Sequence, residues 1–80
     1  MNNELIIIDD DLPFRNRLSQ SMQKKGFNVE AFGDAKNSIE RMNQKKFDYA
    51  IVDMRLEDGS GLEIIQLMKK INPKTKSLLL

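Results

Sequence analysis

Apolar residues along the chain concentrate in four short runs, at residues 5–8, 28–32, 49–53 and 76–80. The first and third are continuous and rich in β-branched side chains, which predicts strands buried on both faces of a parallel sheet. The second, "NVEAF", alternates and predicts a weaker strand at an edge. The fourth, "KSLLL", predicts the start of another strand.

Between these runs the apolar positions follow a helical period. Phe14, Leu18 and Met22 recur every four residues and place one apolar stripe on a helix. Asp11 can cap the start of this helix, and Gly26 can end it. We therefore expect the helix to pack its stripe against the sheet.

Two further helices are predicted from similar signals. Asp34 is a good N-cap for a helix that lasts to about Lys45. Ser60 and Glu63 form a capping box for a third helix, which Asn72 and Pro73 end. The apolar side chains at helical spacing are expected to be core residues rather than ligands of a cofactor, and they include Phe14, Met22, Met42 and Met68.

The order strand, helix, strand, helix, strand, helix, strand predicts an open α/β sheet with right-handed crossovers. No low-complexity linker divides residues 1–80, so we expect a single domain. In a flavodoxin-like order, 2-1-3-4-5, the fourth strand would lie beside the third and would expect a neighbour of its own. This doubly wound sheet is therefore expected to be incomplete, either a fragment or a chain completed by another copy.

The composition of the chain argues against several classes of protein and of metal site. The 80 residues carry 13 Lys and Arg against 12 Asp and Glu, so the net charge of +1 gives no basic excess of the kind that nucleic-acid binding needs. No apolar stretch approaches the length of a membrane span, and no basic segment of a signal peptide is present. Cys, His and Trp are missing, which excludes disulfides and thiolate or imidazole metal ligands. We expect a cytoplasmic, soluble chain.

Carboxylates follow two of the predicted buried strands. Asp9 and Asp10 come after the first strand, and Asp53 ends the third. A short acidic run by itself is usually solvated, but adjacent parallel strands would bring these three together at the carboxyl edge of the sheet. A hard divalent cation such as Mg²⁺ would relieve their repulsion, and an Asp beside it can act as a nucleophile toward phosphorus. Arg55 occupies the position at which dehalogenase-like phosphatases have a second Asp, which argues against that class.

The two motifs "LIIIDDD" and "YAIVDMRLEDGSG" together resemble the receiver domain of bacterial two-component response regulators. The second motif is most similar to the subgroup that controls redox responses and photosynthesis. The resemblance covers essentially the whole chain and implies the flavodoxin-like receiver fold. It also implies a signalling phosphoacceptor rather than an enzyme that turns over a substrate.

The resemblance implies a role for each matching position. Asp53 matches the phosphoacceptor, which receives a phosphoryl group from a phosphohistidine on a sensor histidine kinase. Asp10 matches the direct Mg²⁺ ligand, and Asp9 its partner that usually reaches the metal through water. Arg55 matches the position whose backbone carbonyl completes the metal ligands. Gly61 matches the glycine of the loop that follows the phosphoacceptor.

The sequence departs from the family pattern in two respects. Glu57 stands where many receivers have proline, and we expect Glu57 and Asp58 to be solvent-facing loop charges. The family also places a Ser or Thr after strand 4 and a Lys after strand 5, and the sequence stops before either. Phosphoryl transfer is therefore expected to be slower or absent, and an alternative hypothesis is a non-phosphorylating fragment that self-associates by exchanging strands at its open edge.

Overall fold

The computed structural model describes residues 2–80, which alternate between strands and helices. The helices are α1 (Leu12–Lys24), α2 (Ala35–Gln44) and α3 (Gly61–Ile71). The main strands are β1 (Glu4–Ile8), β2 (Asn28–Phe32), β3 (Tyr49–Val52) and β6 (Lys76–Leu79). Within these described residues, no helix has the length and apolar character that crossing a membrane requires.

The four main strands form one parallel sheet in the order β2-β1-β3-β6. β1 is central, with Ile8 aligned to Phe32 on one side and to Val52 on the other. β6 is the predicted fourth strand, and it pairs with β3. The predicted α/β class, the parallel pairing and the strand order are therefore confirmed.

The two faces of the sheet are covered unequally. Face A is covered by α2 and α3, and its core includes Ile6, Ile8, Ala50, Val52, Met42 and Met68. Face B is covered by α1, in which no residue is fully buried. The prediction of core positions is therefore confirmed for Met42 and Met68, whereas Phe14 and Met22 are only half-buried.

The starts of the helices confirm two of the three predicted N-caps. The Asp11 carboxylate accepts a hydrogen bond from Phe14 N at 3.2 Å, and the Asp34 carboxylate accepts one from Asn37 N at 3.1 Å. The predicted capping box was wrong, because Ser60 is the N-cap of α3 but its side chain makes no capping hydrogen bond. The chain enters α3 from a paired strand, which holds Ser60 by backbone pairing instead.

That paired strand belongs to a small hairpin, in a segment for which the sequence predicted a loop. The hairpin joins β4 (Arg55–Leu56) and β5 (Gly59–Ser60), which are antiparallel. Leu56 is buried in the core of face A. The segment between Asp53 and α3 is therefore anchored to the core rather than free in solvent.

An ion-pair network lies on face A near the start of β1 and the end of α2. Arg41 contacts Glu30 at 2.7 Å, and Lys45 bridges Glu30 at 2.8 Å and Glu4 at 2.5 Å. The hydrogen bond from Arg41 holds the pKa of Glu30 below its usual range, and that from Lys45 does the same for the pKa of Glu4. The network therefore links β1, β2 and α2 through charged groups.

Candidate functional site

The three predicted carboxylates lie together at the carboxyl edge of the sheet. Asp9 and Asp10 directly follow β1, and Asp53 directly follows β3, its neighbour in the sheet. One carboxylate oxygen from each of the three lies within 4.8 Å of the other two. The convergence expected from the sequence is therefore present in the fold.

The three carboxylates differ in their exposure to solvent. Asp9 is buried, with 6% of its surface exposed, whereas Asp10 is exposed and Asp53 is intermediate. Burial raises the pKa of Asp9, and the negative charges of Asp53, Asp10 and Asp11 raise it further, against a hydrogen bond from the Asp11 backbone. Burial and the neighbouring carboxylates therefore both disfavour the ionised form of Asp9.

This donor set fits a hard divalent cation. It contains carboxylate oxygens alone, which are the ligands that Mg²⁺ and Ca²⁺ prefer, and the oxygens are close enough to share one ion. A cation between them would offset the repulsion among the three carboxylates. The site therefore has the chemistry to hold a metal between β1 and β3.

Backbone contacts fix the position of Asp53. Its N–H donates to the carbonyl of Ile8 at 2.8 Å, which extends the β1–β3 pairing by one residue. Gly61 lies directly against it, since a Cβ at Gly61 would collide with the carbonyl oxygen of Asp53. The Gly61 N–H also donates to the carbonyl of Met54 at 3.0 Å. The loop glycine is therefore required for α3 to begin beside the site.

Sequence reasoning missed a support for Asp9. Arg15 Nη1 donates a hydrogen bond to the backbone carbonyl of Asp9 at 2.8 Å. The same nitrogen occupies the space that a Cβ of Gly33 would need. The Arg15 side chain therefore reaches the end of β1 because Gly33 has no side chain in its path. Arg15 and Gly33 are distant in the sequence, so no local pattern predicts this contact.

Sequence reasoning also missed the structural role of Asp58. Its side chain is exposed, as expected, but it is not a free loop charge. The Asp58 carboxylate accepts hydrogen bonds from the backbone N–H groups of Ala35 and Lys36, at 2.8 and 3.1 Å. The hairpin that follows Asp53 is therefore tied to the start of α2.

Comparison with known proteins gives this arrangement a family. Residues 5–80 match the family model described as the response regulator receiver domain. The chain belongs to this family. The resemblance carried by the two acidic motifs is therefore confirmed, and the chain is a receiver domain of the response-regulator class.

Curated relatives agree with this assignment. The receiver domain is 37% identical over 76 residues to the photosynthetic apparatus regulatory protein RegA of Rhodovulum sulfidophilum, covering 95% of the chain and 42% of that protein. It is 33% identical over 79 residues to the acid tolerance regulatory protein ActR of Rhizobium meliloti, covering 99% of the chain and 41% of that protein. The chain thus spans about two fifths of the length of these relatives.

Solved structures support the fold. A CheY-like receiver domain protein from Methanospirillum hungatei gives a TM-score of 0.93 at 24% identity, over 99% of this chain and 63% of that one. A response regulator protein from Burkholderia pseudomallei gives 0.90 at 23% identity, over 96% of this chain and 45% of that one. The latter structure contains a phosphorylated aspartic acid, a calcium ion and citrate. Both likenesses show that the receiver fold is shared.

Proposed function

We propose that this receiver domain is a Mg²⁺-dependent phosphoacceptor and that Asp53 carries the phosphoryl group. The observation that carries the proposal is the convergence of Asp9, Asp10 and Asp53 from the ends of two adjacent parallel strands. The family match and the phosphorylated aspartic acid in the Burkholderia pseudomallei protein support it. The proposed role is that of a signalling switch in the cytoplasm.

Each residue of the site has a proposed task. Asp10 and Asp53 would bind the metal directly, and Asp9 would hold it through water. The backbone carbonyl of Arg55 would complete the protein ligands, and the Arg55 N–H donates to Asp53 Oδ1 at 3.3 Å. When bound, Mg²⁺ neutralises negative charge on the carboxylates and on the transferring phosphoryl oxygens.

The proposed reaction is a direct transfer between two side chains. A carboxylate oxygen of Asp53 attacks the phosphorus of a phosphohistidine on a sensor histidine kinase. The new O–P bond forms as the N–P bond breaks, and the imidazole nitrogen keeps the electron pair of that bond. Attack by water on the same phosphorus later releases inorganic phosphate and restores the Asp53 carboxylate. The protein's contribution is to position Asp53 and to bring the metal ligands together.

The alternative of a non-phosphorylating, strand-exchanging module is not favoured. The family match and the intact carboxylate cluster both point to the phosphoacceptor. Self-association through the edge strand β6 stays a prediction, motivated by the exposed side chains of Leu78 and Leu80. Contact of this segment with nucleic acid is not proposed.

The phosphoacceptor assignment is tested by intact mass after incubation with a small-molecule phosphodonor and Mg²⁺. We expect one phosphoryl adduct, which is lost when the metal is chelated and lost in Asp53→Asn. The matched control is Asp11→Asn, because Asn caps a helix as well as Asp does and the substitution removes a charge just outside the three-carboxylate cluster.

Two results would contradict the assignment. An adduct that survives in Asp53→Asn would place the phosphoryl group elsewhere. A folded wild-type chain that gains no adduct with any phosphodonor would show that the cluster in this chain does not perform the chemistry. Equal labelling of Asp11→Asn and the wild type is expected, and it would exclude a general effect of lost negative charge.

A further inference from the structure

The hairpin that follows Asp53 is bound to α2 by one carboxylate. Asp58 Oδ1 accepts from Ala35 N at 2.8 Å, and Asp58 Oδ2 accepts from Lys36 N at 3.1 Å. These two N–H groups belong to the first turn of α2, where backbone donors have no partner within the helix. The hydrogen bonds from them hold the pKa of Asp58 below its usual range. Asp58 is therefore ionised and engaged at neutral pH.

Two carboxylates share the start of α2. Asp34, the local N-cap, accepts from Asn37 N at 3.1 Å, so it serves the third N–H group of the helix. Asp58 serves the first and second from a position more than twenty residues away. The long-range carboxylate is therefore not a substitute for a missing local cap. It is an additional connection between two parts of the fold.

Close packing accompanies this connection. A Cβ at Gly59 would lie 3.2 Å from the Cβ of Ala35, so the turn of the hairpin lies directly on the first residue of α2. Leu56, at the other end of the turn, is buried in the core of face A. Glu57, between Leu56 and Asp58, is exposed. The hairpin thus has an apolar anchor on one side of Glu57 and a polar anchor on the other.

The hairpin also carries backbone of the proposed site. Arg55, whose carbonyl is a proposed metal ligand, is aligned with Ser60 across the hairpin. The Arg55 N–H donates to Asp53 Oδ1. A shift of the hairpin away from α2 would therefore move a proposed ligand and loosen the hydrogen bond to the phosphoacceptor.

We infer that Asp58 is a positioning residue for the metal site, which holds the backbone of Arg55 in place by tying the hairpin to α2. This inference rests on the proposed function, because it assumes that the Arg55 carbonyl binds the metal. It adds a coupling that the proposed function does not contain. Binding at the site and order at the start of α2 are linked, and linkage between two sites acts in both directions.

The test measures Mg²⁺ affinity by isothermal titration calorimetry in the wild type and in Asp58→Ala. We expect binding to weaken by about tenfold, the scale seen when an outer partner of a metal ligand is removed. The matched control is Glu57→Ala, which removes the same charge one residue earlier but leaves both hydrogen bonds to α2, and its affinity is expected to equal that of the wild type. Asp58→Asn keeps an acceptor oxygen and is expected to fall between them.

Amide hydrogen exchange separates positioning from general stability. In the wild type, Mg²⁺ is expected to slow exchange at Ala35 and Lys36 more than at Asn37, because only the first two donate to Asp58. In Asp58→Ala this difference is expected to disappear. If Asp58→Ala does not fold, the effect of Mg²⁺ on exchange at the same three amides of the wild type still tests the inference.

Each remaining result has a definite meaning. Equal Mg²⁺ affinities in Asp58→Ala and Glu57→Ala would overturn the inference, even if Asp58→Ala unfolds more easily in urea. Uniform or absent slowing at the three amides would overturn it as well. A wild-type chain that binds no Mg²⁺ would remove the proposed metal site itself, and this failure is recognised because it occurs before any variant is compared.

Discussion

The two faces of the sheet use the same strands, but only β1 is equally buried on both. Ile6, Ile7 and Ile8 of β1 are completely buried, whereas in β3 Val52 on face A is completely buried and Ile51 on face B is half-buried. Two helices cover face A, and the single helix on face B leaves a groove of about 320 Å³ beside it. The groove is lined by Leu5, Met22, Phe27, Ile51 and Leu78, among others.

The unequal cover of the two faces determines where the site obtains its rigidity. The hairpin that follows Asp53 is anchored on face A, through Leu56 in the core and Asp58 on α2. The helix on face B packs only half-buried apolar side chains against the sheet, and the hydrogen bond from Arg15 to the Asp9 carbonyl ties it to the end of β1. Precise positioning of Asp53 therefore depends more on face A, where close packing leaves little freedom.

The largest expected effect comes from removing the same side chain on each face. Met68→Ala in α3 deletes a buried side chain and should cost about 3 kcal/mol of unfolding free energy. Met22→Ala in α1 deletes a half-buried one and should cost about 1 kcal/mol. Urea denaturation measures both. If the two variants lost equal unfolding free energy, the two faces would contribute equally to stability, against the difference in burial described above.

A second contrast uses one glycine from each side of the molecule. Gly61→Ala forces a Cβ against the carbonyl of Asp53 and should cost about 2 kcal/mol, with a loss of phosphoryl labelling. Gly26→Ala, at the end of α1, places a Cβ that has no atom of residues 2–80 within 4 Å, but it strains a backbone with φ of 98°. It should cost about 1 kcal/mol and leave labelling unchanged. If Gly61→Ala is still phosphorylated, the lack of a side chain at Gly61 is not required for the reaction at Asp53.

The smallest expected effect concerns the ion pairs of face A. Glu30→Gln should cost about 1 kcal/mol at pH 7, because it breaks contacts to Arg41 and Lys45 that are only partly shielded from solvent. Urea denaturation at pH 7 checks this value. Glu40→Gln, on the exposed side of α2, is the matched control and is expected to change stability little. If Glu40→Gln lost as much unfolding free energy as Glu30→Gln or more, the effect would come from helix charge in general rather than from the ion pairs.

The same network predicts a pH dependence with a definite sign. The pKa of Glu30 is lowered on folding, so its contribution is present above its usual value of 4.5 and is lost as the pH falls below it. The pKa of Lys45 is raised, so its contribution persists until the pH rises above its usual value of 10.5. Unfolding free energy measured between pH 3 and 7 should therefore fall less steeply in Glu30→Gln than in the wild type.

The sequence predicted the parts of the fold that depend on local patterns. Continuous β-branched runs such as residues 5–8 predicted central strands, and the alternating run at 28–32 predicted an edge strand, as observed. Aspartates before helices predicted two caps correctly. The convergence of Asp9, Asp10 and Asp53 was also predictable, because it follows from strand order alone.

Contacts between distant segments were not predictable in this way. The segment after Asp53 was predicted to be a loop with solvent-facing charges, yet it forms a hairpin that is held by Asp58 against α2. The expected cap at Ser60 failed because the preceding strand pairing already fixes the entry to α3. Such contacts join residues that are far apart in the sequence and do not follow a helical or strand repeat. Neither their spacing nor the composition of the chain therefore predicts them.

The central position of β1 has a consequence for the order in which the chain becomes structured during synthesis. Leu5–Ile8 leave the ribosome before both of their partners, which follow at residues 28–32 and 49–52. Pairing of such distant segments is slow and leaves apolar surface uncovered until the last partner arrives. The three consecutive isoleucines are therefore exposed to water until residues 49–52 have been made, and we expect nascent chains that end before β3 to bind a chaperone.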